Sequence, residues 1–208
     1  MRIVMTSDEF DRWETRFSNP DFVFGTAPNA FLASCRDILP AQGRALAIAD
    51  GEGRNGVFLA QCGLSVLSVD FSPAAQRKAQ SLAAANGVSI EVLTADILSW
   101  DWPSGFDVVA GIFFQFVDPE QRRLVFAKIR AALNPGGLLL LHGYRPKQLD
   151  YKTGGPSRAE NLYTREILEQ AFGDFDRLCI SEHDSVINEG AGHHGLSALI
   201  DLIGRKPG

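Results

Sequence analysis

Residues 46–56 read L-A-I-A-D-G-E-G-R-N-G. A short apolar run ends in Gly51, Gly53 and Gly56, and the residues that follow suit a helix. This pattern predicts a strand, a tight glycine turn and a helix N-terminus. Such a turn lets a ligand approach the backbone closely, and the helix end offers free N–H groups. Fourteen residues beyond Gly56 a second apolar run, 65–69, ends in Asp70. An acid at that distance is placed to accept hydrogen bonds from a ribose, so the stretch predicts a site for something containing a nucleoside.

Outward from this stretch the chain alternates. The spacing predicts strands at 45–49, 65–69 and 89–93, a buried strand at 106–114 (F-D-V-V-A-G-I-F-F) and a fifth at 138–142 after the turn N-P-G-G. Between them lie helices at 54–62, from Ser72 and Pro73 up to Gly87, and at 118–133, where Asp118 caps and Pro119 opens the first turn. Strands and helices in this rhythm predict an α/β fold, a Rossmann-like sheet wound on both faces. Upstream, Phe10, Trp13 and Phe17 fall at helical spacing over 8–18, with Ser7 or Asp8 as cap, and Pro28 opens a second helix that ends near Leu39. Spacing alone favours plain packing for the aromatic face of the first helix. After His142 the rhythm breaks into a long polar loop, 143–160. A helix at 163–171 and two strands at 175–184 and 195–205 follow, the strands joined by the glycine-rich N-E-G-A-G-H-H-G. No repeat or linker interrupts the chain, so residues 1–208 are expected to form one domain. Its parts would be a helical cover over 1–43, a ligand-binding core over 44–142, and a substrate-side loop and hairpin over 143–208.

The bulk composition narrows the partners. The chain has 208 residues, 45% hydrophobic and 22% charged, with a net charge of -5 and no long basic run. That is enough apolar material for a full core, and it argues against nucleic acid as the main partner. The opening M-R-I-V-M-T-S-D-E-F turns acidic before a signal-peptide core develops, and no apolar run is long enough to span a bilayer. The expectation is a soluble cytoplasmic protein that does not use a membrane. Cys35, Cys62 and Cys179 are scattered, without zinc spacing, and read as core residues. No metal site is expected, and G-E-G-R-N-G lacks the lysine of a P-loop. Nothing in the sequence fixes an oligomeric state.

Gly51-x-Gly53-x-x-Gly56 with Asp70 nineteen residues after Gly51 also satisfies a dinucleotide fingerprint. Three features count against that reading. About 44 residues precede the first strand, little chain remains for a second domain, and the third strand closes on T-A-D-I, with Asp96 beside Ile97. A carboxylate with an apolar neighbour suits an adenine amino group and ring face. One acid for ribose and one for base describe a single nucleoside.

On these residues the chain resembles the class I S-adenosylmethionine-dependent methyltransferases. D-G-E-G-R-N-G, V-D-F-S, T-A-D-I and L-N-P-G-G-L-L-L-L occur in that family's order and spacing. W-x-x-R-F at 13–17, F-G-T-A-P-N at 24–29, T-G-G-P at 153–156 and E-G-A-G-H-H-G at 189–195 are similar to the small bacterial proteins related to tellurite-resistance and thiopurine methyltransferases. The resemblance implies a seven-stranded sheet with an antiparallel last strand and S-adenosyl-L-methionine as cofactor. It also implies roles. Gly51 and Gly53 would lie against the methionine part and ribose, Asp70 on the ribose hydroxyls, and Phe71 on the adenine. Asp96 and Ile97 would hold the adenine edge, and Ile112 with Phe113 would border the sulfonium. Ala47 and Ala49 depart from the family, which usually has an acid and a glycine there. Asp50 is then expected to meet the cofactor's ammonium group, and Arg54 its carboxylate.

Methyl transfer from a sulfonium is an in-line displacement that needs mainly alignment. A soft S, Se or Te nucleophile needs no general base, whereas a hydroxyl or amine does. His142 and Tyr144 at the end of strand five, Tyr151, Lys152 and Arg158 on the long loop, and His193 and His194 in the hairpin are the candidates near the acceptor. His142, Tyr144 and His193 are the catalytic expectations. In the resembling subfamily the position of His142 often carries an acid, so this chain departs there too. The expected activity is methyl transfer to a small-molecule acceptor. A non-catalytic sensor of the same cofactor and an NAD-dependent oxidoreductase are the alternatives.

Overall fold

A computed structural model describes residues 6–190 and 193–208. The opening five residues, on which the signal-peptide reading partly rests, and residues 191–192 of the glycine-rich connection lie outside it. Helix α1 (Ser7–Phe17) is followed by α2 (Ala30–Ser34) and then by β1 (Arg44–Ile48), α3 (Arg54–Gln61), β2 (Ser65–Asp70), α4 (Pro73–Ala85) and β3 (Glu91–Thr94). The chain continues through β4 (Phe106–Ile112), α5 (Pro119–Ala132), β5 (Leu133–Tyr144), α6 (Gln148–Tyr151), α7 (Arg165–Phe172), β6 (Asp176–Glu189) and β7 (His193–Arg205). The strands form one seven-stranded sheet in the order β3-β2-β1-β4-β5-β7-β6. Pairing is parallel from β3 to β5, and β7 runs antiparallel between β5 and β6. This is the doubly wound sheet with an antiparallel last strand that the sequence predicts.

Strand alternation builds two cores. Ala45, Ala47, Val108, Ala110, Leu138 and Leu140 face α2 and α3 through Leu32, Phe58 and Leu59. Leu46, Ile48, Val109, Leu139 and Leu141 face α5 and α7 through Val125, Phe126, Ile129, Leu168 and Phe172. Both faces are covered, so the central strands are continuous apolar runs. Each fully buried leucine or isoleucine of this kind contributes about 1.5–3 kcal/mol.

Several boundaries differ from the sequence reading. Helix α1 is capped by Thr6, whose side chain accepts the Glu9 N–H at 3.3 Å. N-P-G-G lies inside β5 rather than ahead of it, as an irregularity where Phe106 pairs with Leu133 but Val108 pairs with Leu138. The loop expected at 143–160 is partly ordered: β5 continues to Tyr144, α6 follows, and Ala159–Asn161 form a 3-10 turn. Strands β6 and β7 reach further along the hairpin, with Ile187, Asn188 and Glu189 paired to Gly195, His194 and His193. Backbone pairing ignores side-chain polarity, which is why a polar, glycine-rich run conceals the strand ends.

Candidate functional site

The carboxyl ends of β1, β2, β4 and β5 open into a cavity of about 510 Å³. Ligands in open α/β sheets bind in this place. One wall is the glycine turn. Gly51 sits at φ 58°, borders the cavity and donates its N–H to Asp70 Oδ2 at 2.9 Å. Asp70 Oδ1 accepts the Ser72 N–H at 2.9 Å, so the acid is held by the backbone on both sides. Burial pushes its carboxyl up to about 6 against those hydrogen bonds. Gly53 serves packing instead: a Cβ there would fall 2.5 Å from the Ala79 Cβ on α4, and Gly53 does not border the cavity.

Asp50 borders the cavity too. Its Oδ2 accepts the Gly56 N–H at 3.1 Å and the Ser68 hydroxyl at 2.8 Å. The loop acid thus satisfies the N-terminus of α3 from inside. Burial pushes it up to about 7, with the charge of Asp70 adding to the effect. Ala49 is strained at φ 48°, a conformation that costs a residue with a Cβ about 1–2 kcal/mol.

At the adenine corner the positions also shift. Asp96 Oδ1 accepts the Leu98 N–H at 2.9 Å, and Ile97 is a core residue at 2% exposure. Leu98, not Asp96 or Ile97, borders the cavity. Phe71 borders it too, with Phe10 of α1 5.8 Å away, centroid to centroid.

The opposite wall is aromatic. Phe113 follows β4 at φ 57° and borders the cavity with Ile112. Its ring stacks 4.3 Å from His193, and His193 stacks 4.5 Å from Phe24 on its other face. The Tyr144 hydroxyl lies 2.5 Å from His193 Nδ1. Burial, reinforced by the Arg54 charge, pushes His193 down to about 3. Burial raises Tyr144 above the ordinary phenol value. At neutral pH the imidazole is therefore neutral and the phenol protonated.

His142 borders no part of the cavity. Its ring lies beneath Phe113 and stacks on Phe31 at 5.4 Å, and its Nδ1 is 2.6 Å from Asp201. Phe31 of α2 and Phe113 after β4 seal it into the core. Arg54 does border the cavity, but its Nη2 donates to Glu189 Oε2 at 2.5 Å. Glu189 carried no expected role, since an acid in a hairpin gives no chemical signal in sequence. Trp13, Arg16, Phe24, Asn55, Gln115 and Asn161 complete much of the lining. The first three lie in the W-x-x-R-F and F-G-T-A-P-N stretches. Among the described residues no cluster of three His, Cys, Asp or Glu suits a metal, and no helix is long and apolar enough to cross a membrane.

Residues 45–137 match the methyltransferase domain family. The curated relatives include a carboxy-S-adenosyl-L-methionine synthase of Pectobacterium atrosepticum, 33% identical over 90 residues, which are 42% of this chain and 36% of that one. One from Stutzerimonas stutzeri is 46% identical over 52 residues, 25% of this chain and 21% of the relative. The matches thus span about a third of those relatives or less. Among solved structures, the fold is shared with TehB from Haemophilus influenzae at TM-score 0.70 and 15% identity, over 95% of this chain and 67% of that one. It is also shared with a protein described for the conversion of a disulfide bond into a thioacetal group during echinomycin biosynthesis. That match has TM-score 0.72 and 18% identity, over 96% and 92% of the two chains.

Proposed function

We propose that this chain transfers a methyl group from S-adenosyl-L-methionine to a small-molecule acceptor, and that the acceptor is a soft sulfur, selenium or tellurium nucleophile. The observation that carries the second half is His193. An imidazole held near pKa 3 between two phenylalanine rings is a poor general base. Tyr144 beside it is a protonated phenol and so equally poor. A site walled in this way favours an acceptor that arrives already nucleophilic.

The residues present fit the cofactor. The turn at Gly51 leaves the backbone bare where a Cβ would stand 3.3 Å from Phe17, and the buried acid Asp70 stands beside it. Gly51 and Asp70 would hold the ribose, and Phe71 with Leu98 the base. Arg54 would take the carboxylate, and Ile112 and Phe113 would flank the sulfur. The bound cofactor supplies an electrophilic methyl group on a sulfonium. The protein's part is alignment and exclusion of water, by Phe24, Phe113, Tyr144 and His193 on one side and α1 on the other.

Calorimetry and thermal shift with S-adenosylmethionine, S-adenosylhomocysteine and NAD test the cofactor. The first two should stabilise the fold by about 2.7 kcal/mol at 100 times the dissociation constant, whereas stabilisation by NAD alone would overturn the reading. Mass detection of methylated product across thiol, selenide, tellurite, phenol and amine acceptors tests the chemistry. Methylation of phenols or amines with no turnover of the soft nucleophiles refutes the acceptor class. Binding without any turnover means a sensor.

A further inference from the structure

Three segments distant in sequence converge on one carboxylate. Glu189 ends β6 directly opposite His193. Its Oε2 accepts from Arg54 Nη2 at 2.5 Å, and its Oε1 accepts from Asn29 Nδ2 at 2.9 Å and from the Ala30 N–H at 3.2 Å. The Asn29 N–H in turn donates to Asn55 Oδ1 at 3.0 Å, and Arg54 Nη1 donates to the Ala27 carbonyl at 3.4 Å. The Arg54 and Glu189 side chains are only 7% and 9% exposed. Beside them a Cβ on Gly190 would fall 2.5 Å from the Val23 carbonyl, so the hairpin backbone lies flat on the N-terminal segment.

The chemistry of Arg54 gives this knot a purpose. A guanidinium has five N–H donors in a fixed fork. Among the described residues, Glu189 and Ala27 engage one donor on each terminal nitrogen and leave the others for a second acceptor, while Arg54 itself borders the cavity. We propose that Glu189 is a positioning residue: it fixes the Arg54 fork for the carboxylate of the cofactor's methionine end, and it ties residues 23–30 and the hairpin over that end. Arg54 touches the ligand and Glu189 acts through it. The inference rests on the cofactor reading above.

Two ligands separate positioning from mere support. S-adenosylhomocysteine carries the amino-acid end, and 5′-methylthioadenosine lacks it. With Glu189→Gln, calorimetry should show S-adenosylhomocysteine bound at least tenfold more weakly and 5′-methylthioadenosine unchanged within twofold. In turnover the loss should appear in KM for the cofactor rather than in kcat. If that variant fails to fold, the double variant Arg54→Met with Glu189→Met removes both charges together and keeps the volume, a replacement that buried ion pairs often tolerate. It should show the same split between the two ligands. Equal weakening of both ligands, or unchanged affinity for S-adenosylhomocysteine, overturns the inference. A wild-type chain that binds neither ligand overturns the cofactor reading, and this inference with it, an outcome told apart by the wild-type titration alone.

Discussion

The two walls of the cavity are built in opposite ways. The glycine-turn wall is local. Asp50 reaches Gly56 and Ser68, and Asp70 reaches Gly51 and Ser72, each bond spanning at most nineteen positions. The aromatic wall is assembled from afar: Arg54 meets Glu189 across 135 positions, Asn29 meets it across 160, and Tyr144 meets His193 across 49. The local wall buries two neighbouring acids and tolerates their mutual repulsion. The distant wall buries neutral rings and one compensated ion pair. Backbone N–H groups, which cost no further ordering once the turn forms, can hold like charges close together. Convergent loops have no such support and must neutralise what they bury.

Breaking the distant wall should have the largest effect. Arg54→Ala leaves the Glu189 charge buried and unpaired, and is expected to cost about 3–5 kcal/mol in denaturant unfolding. Removing both partners should cost clearly less. Equal losses would mean that the pair is not compensated as described.

Next comes acid sensitivity. His193 is depressed to about 3 from an ordinary value near 6.5. A group with a lowered folded pKa contributes stability above pH 6.5 and loses it as pH falls toward 3. His193→Phe keeps a ring between Phe24 and Phe113 and should remove about 3 kcal/mol of the acid destabilisation between pH 6.5 and pH 4. If wild type and variant show parallel stability curves over this range, the imidazole is not held neutral.

The local wall should respond with the opposite sign. Asp50 is raised to about 7, so its contribution is present at low pH and is lost as pH rises from about 4 to 7. In Asp50→Asn, an amide oxygen at the Oδ2 position still accepts from Gly56 and Ser68. The variant should gain about 1–2 kcal/mol at pH 8, gain nothing at pH 4, and hold S-adenosylmethionine within threefold of wild type. A larger loss of affinity would assign Asp50 to the ammonium contact. The smallest effect is at Ala49, where Ala49→Gly relieves the positive φ and should raise stability by about 0.5–1 kcal/mol, readable as a shift in Tm.

The legible part of the molecule is the local part. The strand ending at Ile48, the turn at Gly51, the acid at Asp70 and the caps at Ser72 and Asp118 are signalled by residues within one or two turns of each other. The parts that sequence could not place share a different cause. The surroundings of Asp50 and Ile97 depend on Ser68 from β2 and on packing against α5. His142 follows its strand correctly, yet Phe31 and Phe113 close over it.

By itself the sequence determined the alternation of strands and helices, the glycine turn and the acid beside it. Periodicity and turn chemistry act over a few residues and so can be read from a few residues. Only the tertiary structure decided that His193 is a neutral ring in an aromatic stack and that Glu189 grips Arg54. Those outcomes depend on segments from 49 to 160 positions apart meeting in the buried interior, where burial sets both protonation state and partner.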